Sequence, residues 1–423
     1  MASEYLPRVV DDELDQLQLP AVILEGAKAV GKTRTLERRA RTIHRLDRAA
    51  ELQLADDIED WVTSGEPPVL IDEFQRHAHT IDKVRRIVDA DYSPRQFYLA
   101  GSAGEGADTH SGAGRIVTIR MRPLSLAERQ VVTPSVSLRA LCAGGRPALS
   151  GHSDVQLPGY VEEMLRSGFP AIRALAGRDR RRALSGYVDR IVQRDIPVDI
   201  GRSVRQPEQI RRWLRAYAAA TSLTASLETI RDAAHRGDGV VPNRGTTVSY
   251  RDALERLWII DDLPAWRPGL SHFAPLLQQP KRHLVDPALA AALLGVTAEK
   301  LLAGTPPQPQ LPRDGTLLGA LFESLAALSL RVYAQRADAS VSHFREKHGR
   351  REVDFIVERA DAAVVAVETK LSDTVGEADV GHLLWLRREL GERLLDAVVV
   401  YAGTTAYRRR DGIGVVPLAL LGP

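Results

Sequence analysis

The chain has 423 residues, 44% of them hydrophobic and 26% charged, which is too long for one hydrophobic core and ordinary in composition for a folded chain. With 57 Lys and Arg against 55 Asp and Glu, total charge does not mark a nucleic-acid binder, so local patches must carry any such claim. The single cysteine, Cys142, excludes an intrachain disulfide and a cysteine-built zinc site.

The first residues lack the basic and apolar regions of a signal peptide, and no apolar run approaches the ~20 residues of a membrane helix. The expectation is a cytoplasmic chain with no membrane contact. Apolar strands then alternate with polar helices, as in a parallel α/β sheet. Ala21–Glu25, Val69–Asp72, Gln96–Ala100 and Ile116–Met121 are the predicted strands. Directly after the first of them, Gly26-Ala27-Lys28-Ala29-Val30-Gly31-Lys32-Thr33 fits G-x₄-G-K-[ST]. The glycines let the backbone curl its N–H groups toward phosphate oxygens at a helix start. Lys32 is placed to reach the β- and γ-phosphates of ATP, and the Thr33 hydroxyl to ligate Mg²⁺.

Pro68–Glu73 is an apolar strand ending in two carboxylates. Asp72 is expected to hold the Mg²⁺ shell and Glu73 to polarise the attacking water. Ser102, after the strand Gln96–Ala100, is a candidate γ-phosphate sensor, with a simple Gly-Ser turn as the alternative. Arg115, Arg120 and Arg122 are either arginine-finger candidates or ordinary surface arginines.

Pro123 breaks the last strand, and Ser125-Leu-Ala-Glu128 reads as a capping box. Residues 131–158, rich in Ser, Gly and Pro, read as a long connection. Helices are predicted over Tyr160–Ser167, Arg180–Gln193, Leu223–Ala234 and Thr246–Trp258. Short strands at Ile259–Trp266 and Arg282–Val285 follow, giving the outline of a winged helix. Its second helix opens with Thr246, Thr247, Ser249, Tyr250 and Arg251, which are either DNA contacts or packing residues.

Beyond the Pro-rich Thr305–Pro312 come a helix (Leu317–Tyr333), a hairpin (Arg351–Glu358 with Ala363–Lys370), a helix (Gly381–Leu390) and a strand (Asp396–Ala402). Strand alternation puts Glu368 and Lys370 on one face, and Asp354 meets them across the hairpin. Glu323 lies on the preceding helix among small residues. Asp354 and Glu368 are candidate Mg²⁺ or Mn²⁺ ligands, and Glu323 and Lys370 complete a set able to hydrolyse a phosphodiester. A solvated hairpin with an ordinary salt bridge is the plainer alternative. The expected organisation is a P-loop AAA-type domain (1–135), a linker and helical lid (136–205), a winged-helix-like domain (206–295) and a nuclease-like α/β domain (296–423).

Taken in order, Tyr5-Leu6-Pro7-Arg8, Gly26–Thr33, Ile71-Asp72-Glu73-Phe74-Gln75, Ala100-Gly101-Ser102, Arg122–Glu128, Gly168-Phe169-Pro170, Arg194-Asp195-Ile196, Arg351–Asp354 and Glu368-Thr-Lys370 resemble a bacterial and archaeal family. Its members are ATPases pairing an N-terminal AAA-type P-loop domain with a C-terminal domain of unknown function. The resemblance spans nearly the whole chain and implies a winged helix in the middle and a PD-(D/E)XK nuclease-like, restriction-endonuclease-like fold at the end. Glu368-Thr-Lys370 stands where the resemblance leads one to expect Glu-Val-Lys. Two functions are expected from this reading. One is an ATPase coupled to a DNA-directed, metal-dependent nuclease domain. The other is an ATP-dependent regulatory switch, of a toxin or defence system, whose degenerate nuclease fold binds partners without cleaving. ATP, DNA and further copies of the chain are the candidate partners.

Overall fold

The computed structural model of the chain describes residues 5–101, 114–199, 207–235, 244–267, 278–306, 308, 309, 311, 315–346 and 350–423. Contacts gather the chain into two units, one of residues 10–123 with 253–259, the other of residues 1–9, 124–252 and 260–423.

The first unit is built on five parallel strands: β1 (Ala21–Glu25), β2 (Thr42–Arg45), β3 (Val69–Asp72), β4 (Phe97–Gly101) and β5 (Ile116–Arg120). Their order is β2-β3-β4-β1-β5. Near-continuous burial of β1, β3 and β4 explains their unbroken apolar runs. Ile23, Ile71, Leu99, Trp61, Val84 and Val88 belong to one core cluster of this unit. β2 was not predicted; as the half-buried edge strand it carries Thr, His and Arg, with no apolar run to betray it. Register pairs Glu25 with both Gly101 and Arg120, and Asp72 with Ala100. The carboxyl ends of β1, β3 and β4 therefore share one edge, where ligands bind in open α/β sheets.

The second unit contains β6 (Val136–Ser137), β7 (Ala339–Arg345), β8 (Glu352–Arg359), β9 (Val364–Lys370), β10 (Leu394–Tyr401), β11 (Tyr407–Arg408), β12 (Gly414–Pro417) and β13 (Leu421–Gly422). A six-stranded mixed sheet runs β11-β12-β10-β9-β8-β7, with β7, β8 and β9 an antiparallel meander and β9, β10 and β12 parallel. The helix Leu317–Arg336 precedes the meander, and the helix Gly381–Leu390 makes the β9-to-β10 crossover. Thr316 caps the first of these by accepting from the Gly319 N–H at 3.2 Å. By length and composition this 20-residue helix could cross a membrane, which corrects the expectation that no run is long and apolar enough; its most apolar stretch is 83% buried inside the protein.

The long connection is anchored at the chain's end. β6 pairs with β13, and the Ser137 hydroxyl donates to the Pro423 carbonyl at 2.8 Å. The capping box forms, with Glu128 Oε2 accepting from Ser125 N–H at 2.7 Å, but it opens only the single tight turn Ala127–Arg129. Its other oxygen accepts from Arg8 Nε and Val9 N–H at 3.1 and 2.7 Å, so the opening Arg8 belongs to the same buried motif.

In the middle, helices Leu227–Ala234 and Arg244–Arg256 are followed by the two predicted arms as isolated antiparallel bridges, Ile260 to Leu284 and Leu263 to Lys281. The first arm continues onto β7, where Ala265 bridges His343 and the His343 N–H donates to the Pro264 carbonyl at 2.8 Å. The hairpin thus covers the open edge of the C-terminal sheet, a common way to protect such an edge. Thr247 and Tyr250, two of the expected DNA contacts, are buried and are packing residues here.

Candidate functional site

Two constellations answer to the sequence reading, one in each unit. In the first unit the loop Gly26–Thr33 links β1 to the helix Lys32–Glu37. Gly26 and Gly31 take φ of 149° and 109°, and Ala29 takes φ of 65°. A Cβ on Gly26 would lie 2.1 Å from the Met121 carbonyl oxygen, so no side chain fits there. The Lys32 ammonium is buried and donates to the carbonyls of Gly26 and Ala27 at 2.7 and 3.0 Å. Burial pulls it down to about 8, against the opposing pull of Glu73 and Asp72. A buried cation held by neutral carbonyls is a fitting partner for phosphate oxygens.

Thr33 Oγ1 donates to Asp72 Oδ1 at 2.9 Å, so the phosphate loop and the end of β3 meet. Asp72 is raised by burial, an effect the Thr33 hydrogen bond opposes. Glu73 sits just beyond, in a left-handed conformation at φ 55°, and accepts from Gln75 Nε2 at 2.7 Å. A non-glycine residue there costs of the order of 1–3 kcal/mol, the kind of strain that gathers at functional sites. Lys28, Ala29 and Val30 complete the loop between the glycines, and Val30 is buried beneath it. Ser102 lies outside the described residues. Of the arginines, Arg115 pairs with Asp89 at 2.6 Å, and Arg120 lies 4.3 Å from the centroid of the Trp258 ring.

In the second unit the hairpin pairs Phe355 with Val367, and one step beyond that pair Glu368 Oε2 accepts from the Asp354 N–H at 3.4 Å. Lys370 Nζ lies 3.6 Å from Glu368 Oε1 and 3.8 Å from Asp379 Oδ1. Glu323 comes in from the helix Leu317–Arg336. Two members of the cluster had no place in the predicted set. Lys281 Nζ lies 2.8 Å from Glu323 Oε1, 2.8 Å from Glu352 Oε1 and 2.9 Å from Asp354 Oδ1, with only 2% of its side chain exposed. The second oxygen of Asp354 accepts from Thr369 N–H and Oγ1 at 2.9 and 2.7 Å. Glu352 was legible by alternation, two residues from Asp354 on the same strand; Lys281, in the run Gln-Pro-Lys-Arg-His, carries no local signal.

The electrostatics follow from this packing. Burial, which alone would lower Lys281, is outweighed by Asp354, Glu323 and Glu352, and its ammonium is held well above the usual lysine range. Burial would raise Asp354, but Lys281 and Thr369 hold it below the ordinary carboxylate value. Burial pushes Glu323 up to about 8 despite Lys281, and pushes Glu368 well above its usual value with Asp354 adding to the effect. Among the described residues, no group of three or more His, Cys, Asp or Glu is arranged to hold a metal ion.

Comparison with known proteins agrees with this layout. Residues 18–130 match the model of an AAA domain, 157–300 a domain of unknown function (DUF8612) and 318–421 a second one (DUF4143). Uncharacterized proteins of Mycobacterium tuberculosis and Mycobacterium bovis are each 24% identical over 348 residues, spanning 78% of this chain and 68% of theirs. Among solved structures, a Walker-type ATPase of Pyrococcus abyssi overlays at TM-score 0.38 and 16% identity, covering 67% of this chain and 93% of that one. The ORC2 protein of Aeropyrum pernix, in ADPNP–ADP complexes, overlays at TM-score 0.30 and 11% identity, covering 77% and 97%. Overlays this partial transfer no function. The chain carries an N-terminal AAA-type P-loop ATPase domain, which binds and hydrolyses ATP, followed by two regions of unknown function.

Proposed function

We propose that the chain is an ATP-hydrolysing switch that uses Mg²⁺ at its P-loop and whose C-terminal domain is a nuclease-like fold that does not cleave. The observation that carries the ATPase half is the Thr33–Asp72 contact beside the buried Lys32. Gly26–Thr33 would hold the phosphates, Thr33 and Asp72 the Mg²⁺ shell, and Glu73 the proton of the attacking water. Bound Mg²⁺ supplies charge stabilisation to the transferring phosphoryl group. ATP titration and phosphate release test this directly: Lys32→Ala should lose ATP binding, and equal ATP affinity in that variant and the parent would sink the assignment. The non-cleaving half is supported by Asp354, whose two oxygens are both engaged by protein donors.

A second reading is a DNA-directed, Mg²⁺- or Mn²⁺-dependent nuclease of the PD-(D/E)XK type. The order helix, three-strand meander, helix, strand favours it, as does Asp354 facing Glu368 with Lys370 nearby. Cleavage assays on several DNA and RNA forms separate the two. Metal-dependent cleavage lost in Asp354→Asn and Lys370→Ala selects the nuclease. ATP-dependent changes in protease susceptibility without cleavage select the switch. DNA contact through Arg251 and the arginines of the middle helices (Arg178, Arg180, Arg211, Arg212 and Arg215 among them) would weaken steeply with salt, through lost counterion release. Homo-oligomer formation and a cytoplasmic, membrane-free location belong to the same proposal, and light scattering and cell fractionation read them.

A further inference from the structure

The pocket around Lys281 has a volume of about 390 Å³ and is lined by residues from both sides of the Pro-rich linker. Its carboxylates, Glu323, Glu352, Asp354 and Glu368, all come from the region after residue 318. Lys281 comes from the covering hairpin, whose backbone is fixed by reciprocal bonds with Leu263 at 2.9 and 3.0 Å and whose other arm is bridged to β7. An ammonium has three N–H donors. Lys281 directs its charge at three separate carboxylates, each within 2.9 Å, from a position that is almost wholly shielded from solvent. Two of the three contacts, to Glu323 and Asp354, are hydrogen bonds and the third, to Glu352, is an ion pair, and the contact carboxylates converge from the helix Leu317–Arg336 and from β8.

We propose that Lys281 is the resident cation of this carboxylate pocket and that it keeps the pocket metal-free. A divalent ion sharing these oxygens would sit beside a buried ammonium stripped of its partners, an arrangement disfavoured by charge repulsion and desolvation together. Withdrawing Lys281 leaves Glu323, Glu352 and Asp354 without their neutralising charge; with Lys281 in place they are not arranged around a metal, but their oxygens are the ligand type a hard divalent cation takes once they close on it. The other cations facing the pocket do not replace it: Lys370 lies 3.6 Å from Glu368, and Arg345 lies 3.7 Å from Glu352. The inference rests on this pocket alone and holds whether or not the ATPase reading does.

The test uses the full chain in a Lys32→Ala background without nucleotide, with Mn²⁺ alone as the probe. Bound Mn²⁺ is read by electron paramagnetic resonance and by thermal unfolding. With Lys281 present, no Mn²⁺ signal or thermal shift should depend on Asp354. Lys281→Met should lower the melting temperature, and Mn²⁺ should restore it with at least about tenfold tighter apparent binding than in the parent. Adding Asp354→Asn should erase that gain. Asp354-dependent Mn²⁺ binding in the protein that keeps Lys281 would overturn the proposal, as would a folded Lys281→Met protein that gains no Mn²⁺ site. If Lys281→Met fails to fold, Lys281→Met with Glu352→Gln removes one of the stranded charges and is judged by the same gain or absence of Mn²⁺ binding.

Discussion

Gly26→Ala tests the phosphate loop through its backbone. The native φ of 149° lies outside the range an L side chain adopts comfortably, and the new Cβ would stand 2.1 Å from the Met121 carbonyl oxygen. Met121 cannot retreat freely, because its N–H donates to the Glu25 carbonyl at 2.7 Å just past the β1–β5 ladder. Backbone strain costs of the order of 1–3 kcal/mol, and losing that hydrogen bond adds about 1 kcal/mol. A total of roughly 2–4 kcal/mol in a unit of this size corresponds to a fall in melting temperature on the order of 10 °C. The same shift tilts the loop N–H groups away from the phosphates, so ATP affinity should fall at least about tenfold. Lys32→Ala is the control, since it deletes the cation without a clash and should lose ATP with a smaller thermal change. Differential scanning calorimetry and ATP titration read both quantities. A Gly26→Ala protein with the parent's melting temperature and ATP affinity would refute the reasoning.

Three further outcomes follow from the same geometry. Glu73→Gln should keep ATP binding and lose hydrolysis, because Gln preserves the shape but is a far weaker base; single-turnover phosphate release checks it. Glu163→Gln should destabilise its unit by about 3–5 kcal/mol, because Glu163 pairs in a buried triad with Arg129 and Arg173 at 3.2 and 2.7 Å; urea unfolding measures the loss. Burial pulls Lys32 down to about 8, below its unfolded value, so the unfolded chain binds more protons between that pH and about 10.4. Stability of the nucleotide-free protein should therefore rise with pH across that window relative to Lys32→Met, and parallel pH profiles for the two would contradict it.

What the sequence made legible was local. The P-loop is eight contiguous residues between a strand and a helix, and the carboxyl end of β3 is a short apolar run closing in Asp72-Glu73. Both need only their neighbours, and the structure brings Thr33 to Asp72 at 2.9 Å. The hairpin that brings Asp354 to Glu368 followed from strand alternation in the same way. Edge strands were harder to see. β2 mixes polar and apolar residues because a half-buried edge strand lacks the two buried faces that write a continuous apolar pattern, and β7 breaks the pattern by burying polar Ser342 and His343 between Val341 and Phe344. The burial of Thr247 and Tyr250 was not legible, since a polar helix face looks alike whether it meets DNA or protein. Lys281 was beyond local reading, for its partners lie 42 and 73 residues away along the chain.

That distance changes how the C-terminal region has to be read. Residues 318–421 alone bring four carboxylates into one pocket, with Lys370 3.6 Å from one of them, a concentration of negative charge that one lysine does not offset. Residues 221–285 change that answer. Thr221 bridges Arg282, the Ser222 hydroxyl donates to the Ala320 carbonyl at 2.9 Å, and the covering hairpin inserts Lys281. Farther up the chain, the Tyr160 ring meets Phe322 edge-on at 5.4 Å, and its hydroxyl accepts from the Ala419 N–H at 3.0 Å. The region before the Pro-rich linker therefore supplies part of the wall, part of the core and the neutralising charge of the region after it. A substitution at residue 281 should consequently alter the chemistry of carboxylates that belong to a different sequence domain. The two regions of unknown function act on that pocket as one physical unit.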